Sequence, residues 1–255
     1  MSQALPAPFL TIPLAHRALH DIRAGRPENS RAAIRAAIAA GYGIEIDLQM
    51  SEDGQAMVFH DYDLSRLTAE RGPVRQRSAA ALQQIPLSGG DETIPTLAEV
   101  LDLVAGRVPV LIEIKDQDGA MGPDVGPLER STARALKGYG GPVAVMSFNP
   151  HAVAAMAELA PDVPRGITTS AYVPEDWPLS AAVCDHLRGI PDFDRVGASF
   201  ISHEVTDLDR PLVVGMRARG VPVLTWTVTS LEQARAVENL CDNITFEGFA
   251  APFRS

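Results

Sequence analysis

In Ile44-Glu45-Ile46-Asp47-Leu48 two carboxylates alternate with large aliphatic residues, and Ile112-Glu113-Ile114-Lys115 repeats the arrangement later in the chain. Side chains of an extended strand alternate between its two faces, so Glu45 and Asp47 share one face and Ile44, Ile46 and Leu48 the other. Glu113 and Lys115 likewise face away from Ile112 and Ile114. In a parallel barrel the aliphatic faces pack under the surrounding helices. The charged faces then point into the barrel mouth, where unpaired carboxylates are costly. A fold that accepts these strands must therefore bring a counter-charge to them.

The rest of the chain repeats one unit: a short β-rich run, a polar junction, and an Ala/Leu-rich segment with helical spacing. That alternation predicts parallel βαβ units with right-handed crossovers. Strands are expected at Ile12–His16, Ile44–Gln49, Val110–Lys115, Val143–Phe148, Arg165–Thr169, Arg195–Ile201, Pro222–Thr227 and Asn243–Glu247. A short extra strand, Met57–His60, follows the Asp53-Gly54 turn. Helices are expected at about Asn29–Ala40, Thr96–Ala105, up to Lys137, Ala152–Leu159, Leu179–Leu187, Leu208–Arg219 and Leu231–Asn239. Pro27 and Asn29 mark the first helix start, Gly41 and Gly43 its end, and Thr96 with Glu99 spells a capping box. Arg66 to Gly90 is the least regular stretch, with a small helix near Ser78–Gln84, and reads as an insertion on one face. Eight such strands in 255 residues match the ~250 residues of a closed (β/α)8 TIM barrel. No linker divides the chain, so residues 1–255 are expected to form a single catalytic domain, with the insertion at about 66–90.

Three inward carboxylates, Glu45, Asp47 and Glu113, exceed what Lys115 alone can balance. A divalent cation supplies the remainder, and an all-oxygen donor set suits Mg²⁺ or Ca²⁺. His16 and His60 both end strand candidates, at the side of a barrel where active sites are built. Two imidazoles beside a metal supply a general base and a general acid near neutral pH. Arg17 and Lys115 add donors for a phosphoryl group's developing charge. One buried strand carboxylate is more often an ion-pair partner, and Glu113 with Lys115 would read so in isolation. The whole set, with two histidines and two cations, favours a site. His20, His151, His186 and His203 fall in expected loops or helices and are read as structural, with His203, just past the sixth strand, the one to re-examine. Trp226, near the end of the seventh strand, is either core or a wall of the substrate pocket.

Composition narrows the partners. Lys and Arg number 22 against 32 Asp and Glu, a net charge of −10. Such a surface repels nucleic acid and anionic membranes, so neither nucleic acid binding nor stable membrane association is expected, while a small anionic substrate stays compatible. Cys184 and Cys241 form no disulfide framework and read as buried thiols. The N-terminal MSQALPAPFLTIPLAHR lacks a basic n-region and a long apolar run, and no stretch approaches a membrane span. The expected location is cytoplasmic. Nothing in the sequence indicates an oligomeric state.

In order along the chain, His16-Arg17, Pro27-Glu28-Asn29-Ser30, Gly43-Ile44-Glu45-Ile46-Asp47, Asp53-Gly54, His60-Asp61, Leu64 with Arg66 and Thr68, Ile94-Pro95-Thr96-Leu97-Ala98-Glu99, Ile112-Glu113-Ile114-Lys115 and Trp226-Thr227-Val228 resemble the glycerophosphodiester phosphodiesterases. The resemblance implies a TIM barrel that hydrolyses glycerophosphodiesters to glycerol 3-phosphate and an alcohol. It implies metal ligation by Glu45, Asp47 and Glu113, acid/base roles for His16 and His60, phosphate binding by Arg17 and Lys115, and an acidic site role for Glu28. Three departures stand out: Ala18 and a long loop to Pro27 follow His16-Arg17, Thr229 follows Trp-Thr-Val, and the last strand carries Asn243 and Glu247. They are expected around the substrate's alcohol side. The nearest alternative is a lysophospholipase D-type activity on lipid, which needs an apolar entrance such as the insertion and Trp177 could build. A metal-dependent lyase or aldolase using Lys115, and a non-catalytic metal- or phosphate-binding protein, fit the paired histidines less well.

Overall fold

Hydrogen-bonded in parallel and closed on itself, the sheet runs β1 (Leu14–Ala15), β2 (Gly43–Met50), β4 (Val110–Ile114), β5 (Val143–Ser147), β6 (Arg165–Thr169), β7 (Phe200–Glu204), β8 (Val223–Val228) and β9 (Asn243–Phe246), with β9 returning to β1. A computed structural model describes residues 3–253. The architecture is a (β/α)8 TIM barrel. A ninth strand, β3 (Ala56–Val58), pairs antiparallel with the end of β2 and leads the chain away from the barrel before it returns at Thr96.

Helices follow the strands: α1 (Pro8–Thr11) precedes β1, then come α2 (Arg31–Ala40), α3 (Ala79–Leu82), α4 (Leu97–Val104), α5 (Pro127–Leu136), α6 (Pro150–Leu159), α7 (Ala181–Arg188), α8 (Pro211–Ala218) and α9 (Leu231–Ala236). Their ends follow local chemistry. Ser30 Oγ accepts from Ala33 N to start α2, and Gly41 ends it in the left-handed region that glycine tolerates. Thr96 and Glu99 form the expected reciprocal capping box on α4.

The strand phase divides the interior into two layers. Ile44, Ile46, Leu48, Ile112 and Ile114 point outward and pack with Ile34, Leu97, Val100 and Leu101 of the helices. Leu14, Leu111, Ala144, Met146, Phe200 and Leu224 point inward, with Leu5 and Phe9 of the N-terminal segment packed against them. On β6 an added Cβ at Gly166 would collide with the Phe200 ring, so the lower barrel has no room for a further side chain there. Between β3 and α4 a separate small core forms from Met57, Phe59, Leu64, Val74, Leu82, Ile85, Leu87 and Ile94.

The sixth barrel strand lies at Phe200–Glu204, not Arg195–Ile201. Residues 191–197 are turns, and Gly197 has φ +60°. Val196 and Ala198 nevertheless pack into the outer core, which explains why the segment mimics a buried strand. The true strand reads as polar because Ser202 and Glu204 share its inward phase with Phe200. His203 therefore sits on a strand and not in a loop. Cys184 and Cys241 are buried thiols. No helix among the described residues is long and apolar enough to cross a membrane.

Candidate active site

Glu45 and Asp47 lie on β2 and Glu113 on β4, with Asp47 in register with Glu113. Their phase turns all three carboxylates inward. One oxygen of each lies within 4.8 Å of the others, and all three residues are buried. Lys115 Nζ stands 2.8 Å from Asp47 Oδ1 and 2.6 Å from Glu113 Oε1. Asn29 Nδ2 donates to Asp47 Oδ2 at 2.9 Å, and the Arg17 backbone N–H donates to Glu45 Oε2 at 3.0 Å.

These contacts do not balance the charge evenly. Burial pushes the Glu45 carboxyl well above the usual carboxylate range, and the charges of Asp47 and Glu113 add to that effect. At Asp47 burial is outweighed by Lys115, His60 and Arg17, which hold the carboxyl well below that range. At Lys115 burial is likewise outweighed, by Asp47 and Glu113, and the ammonium is held more firmly protonated. Glu45 is thus the carboxylate that lacks a cation. Three convergent, buried, oxygen-only donors with a residual negative charge fit a hard divalent cation.

His16 follows β1, and its Nδ1 is 2.7 Å from Glu247 Oε2 just past β9. His60 follows β3, and its Nδ1 is 2.6 Å from Asp61 Oδ1. A carboxylate can only accept, so in each pair Nδ1 carries the proton. The Glu247 carboxyl is held well below its ordinary range by the hydrogen bond from His16 and by the nearby His20 ring, whose Nε2 lies 3.5 Å away. At Asp61 burial is outweighed by His60 and Arg66, and that carboxyl too stays ionised.

Arg17 NH1 donates to Glu28 Oε1 at 2.8 Å. Its Nε is buried without a hydrogen-bond acceptor, 3.8 Å from Asp47 Oδ2. Glu28 does not line the cavity; it stands behind Arg17 and orients it. The cavity, about 130 Å³, is bounded by His16, Arg17, Glu45, His60, Glu113, Lys115, Met146, Phe148, Thr168, Trp226, Thr227 and Thr245. The Thr168 and Thr245 hydroxyls are buried there without partners. Trp226 Nε1 donates to Ser202 O at 3.0 Å, and the ring stands edge-on to Phe148 at 5.3 Å. Phe148 in turn contacts Trp177 at 5.3 Å.

Of the residues singled out by sequence, His16, Arg17, Glu45, His60, Glu113, Lys115 and Trp226 line this cavity, while Asp47 and Glu28 contact its members. Asn29, Asp61 and Arg66 entered the sequence reading within the resembling motifs but with no role in the site, and Glu247 was expected at the substrate's alcohol side and not behind His16. The contact of Glu247 with His16 was within reach, since Glu247 continues the inward phase of Asn243 and Thr245; the partners of Arg66 had no such local signal. The departures from the family pattern separate in space. Glu247 abuts His16. Asn243 sits at the opposite end of the barrel, where its Nδ2 donates to Phe9 O at 2.8 Å and Ile12 O at 2.6 Å. Thr229 is exposed, its N–H donating to Gln233 Oε1 at 2.8 Å. Of these three residues only Glu247 belongs to the site, where His20 of the long loop after Ala18 also approaches it. His203 is packed away from the cavity between Thr169, 2.8 Å from its Nδ1, and Asp207, 3.2 Å from its Nε2.

Residues 16–245 match the model of the Glycerophosphoryl diester phosphodiesterase family. The chain is 28% identical over 232 residues to a glycerophosphodiester phosphodiesterase of Caldanaerobacter subterraneus subsp. tengcongensis, covering 87% of each chain. It is 36% identical over 108 residues to a glycerophosphodiester phosphodiesterase of Bacillus altitudinis, covering 40% of this chain and 43% of that one. Among solved structures, a phosphodiesterase of Oleispira antarctica in complex with the product sn-glycerol-3-phosphate superposes with a TM-score of 0.76 at 25% identity, covering 94% of this chain and 93% of that one.

Proposed function

The chain belongs to the glycerophosphoryl diester phosphodiesterase family, and from that membership we propose that it hydrolyses glycerophosphodiesters to glycerol 3-phosphate and an alcohol by histidine acid/base catalysis at a metal site. The observation that carries the reading is one cavity where Glu45 and Glu113, two of three convergent buried carboxylates, meet two imidazoles, each backed by a carboxylate.

Glu45, Asp47 and Glu113 hold the divalent cation, Mg²⁺ or Ca²⁺. When bound, it neutralises charge on the phosphoryl group and lowers the pKa of an oxygen nucleophile. Arg17, its guanidinium oriented by Glu28, and Lys115 bind the non-bridging phosphate oxygens and stabilise their charge in the transition state. His16 Nε2 takes the proton from the attacking oxygen as the new P–O bond forms. His60 Nε2 gives its proton to the alcohol oxygen as the old P–O bond breaks, and proton exchange with solvent returns both rings to their starting states before the next turnover. Trp226 walls the leaving-group side. The product held by the Oleispira antarctica relative agrees with glycerol 3-phosphate as the retained half.

The first test is release of glycerol 3-phosphate from glycerophosphocholine and glycerophosphoethanolamine, with Mg²⁺ or Ca²⁺ and with EDTA. Release that needs the cation and is lost in Glu45→Ala is the expected result; no release with either cation would sink the reading. A lysophospholipid run alongside tests the lipid alternative, which the aromatic wall of Phe148, Trp177 and Trp226 keeps in view. Turnover of the lipid in preference to the water-soluble diesters would move the substrate to that class.

A further inference from the structure

Arg66 lies outside the cavity, on the short turn Leu64–Arg66 of the segment between β3 and α4, yet its guanidinium joins two parts of the site. Nε donates to Asp61 Oδ2 at 2.6 Å and NH2 to Asp61 Oδ1 at 2.8 Å. NH1 donates to Glu28 Oε2 and NH2 to Glu28 Oε1, both at 2.9 Å. Each carboxylate is already committed on its other side: Glu28 Oε1 to Arg17 NH1 at 2.8 Å, and Asp61 Oδ1 to His60 Nδ1 at 2.6 Å. One planar side chain therefore completes a continuous path from the guanidinium of Arg17 to the ring of His60. Only the guanidinium fork can address two carboxylates with paired donors in fixed directions; an ammonium offers a point charge.

The Arg66 side chain is 46% exposed, and ion pairs that open to water add little to stability. Its consequence is geometric. Asp61 has two rotatable bonds and would otherwise be free to swing with the imidazole it holds. With both oxygens gripped, the ring is fixed relative to Arg17, which binds the phosphate in the reading above.

We propose that Arg66 is a positioning residue for leaving-group protonation, locking Asp61 so that His60 meets the departing oxygen of a diester held by Arg17. The proposal rests on His60 acting as the acid. General-acid transfer requires hydrogen-bond reach, and small misplacements of the donor are expensive in rate.

The test compares two diesters of glycerol 3-phosphate on the cation-loaded enzyme. The choline ester must leave as an alkoxide that needs a proton; the p-nitrophenyl ester leaves as a phenolate that does not. Arg66→Met is expected to lower kcat on the choline ester by about 10–100-fold and on the p-nitrophenyl ester by less than about 3-fold. Arg66→Lys, which keeps the charge without the fork, is expected to show the same asymmetry, and His60→Gln a larger one. Equal losses on both esters, or no loss, in Arg66 variants that melt like wild type would overturn the proposal. If His60→Gln shows the asymmetry and the Arg66 variants do not, Arg66 alone is misassigned. If His60→Gln shows none, the acid assignment falls and the Arg66 proposal with it.

Discussion

Glu45 carries the least compensated charge in the barrel mouth, because Lys115 reaches Asp47 and Glu113 and the Arg17 backbone offers Glu45 only one neutral donor. Its carboxyl is pushed above the usual range by burial and by its neighbours. A raised folded-state value means that the folded protein binds the proton more tightly, so stability falls as the pH rises past the ordinary carboxylate value. At pH 7 and in EDTA, Glu45→Gln is therefore expected to melt higher than wild type, while losing the gain in Tm that Mg²⁺ or Ca²⁺ brings. A lower Tm in EDTA would contradict this account of the site's charge. Glu247 has the opposite sign. His16 and His20 hold its carboxyl low, so its contribution is present above the ordinary glutamate value of about 4.3 and is lost as the pH falls below it. The Tm deficit of Glu247→Gln should accordingly be full at neutral pH and should close in acid. At this scale the sequence was informative where phase was available: alternation alone turned Glu45, Asp47 and Glu113 to one face. It was silent on the partners of Arg66, since Asp61 and Glu28 come from different loops.

Among the elements, the last strand shows how one short segment serves two ends of the barrel. Its inward positions are Asn243, Thr245 and Glu247; the first closes the floor by bonding the carbonyls of Phe9 and Ile12, and the last backs His16. Asn243→Ala is expected to cost about 1–3 kcal/mol, the range for leaving buried carbonyls without their donor. Urea titration would read that loss, and kcat/KM of the folded variant should stay at wild type; a selective fall in turnover would place Asn243 in the site after all. Gly166→Ala on β6 should destabilise by about 1–3 kcal/mol, as overpacking does, because Phe200 occupies the space the methyl would need. Helix boundaries were legible at Gly41, Thr96 and Glu99 because caps are local chemistry, while the first helix is capped by Ser30, one residue past the expected Asn29. The strand at Phe200–Glu204 was not, because a barrel strand whose inward face carries Ser202 and Glu204 loses the apolar run that announces a buried strand.

For the whole molecule, closure is what makes the site. β1 contributes only Leu14 and Ala15 to the ladder, yet it pairs with both β2 and β9 and so brings His16 beside Glu247 across the length of the chain. The charge gathered inside the ring predicts ligand-linked stability: a divalent cation at about a hundredfold over its Kd should add about 2.7 kcal/mol, read as a rise in Tm that EDTA reverses. The same cation should leave Glu113→Gln nearly unshifted, and an equal shift in that variant would place the ion elsewhere. The sequence by itself determined the alternation of strands and helices, the inward phase of the carboxylates and the strand-end positions of His16 and His60, because each of these follows from the period of the local backbone. Only the tertiary structure decided which carboxylate backs each imidazole, that Lys115 bridges Asp47 and Glu113, that Asn243 belongs to the floor, and that Arg66 ties Glu28 to Asp61. His16 with Glu247, Lys115 with Asp47, Asn243 with Phe9 and Arg66 with Glu28 join segments far apart along the chain, and their distances exist only once the ring of strands has closed.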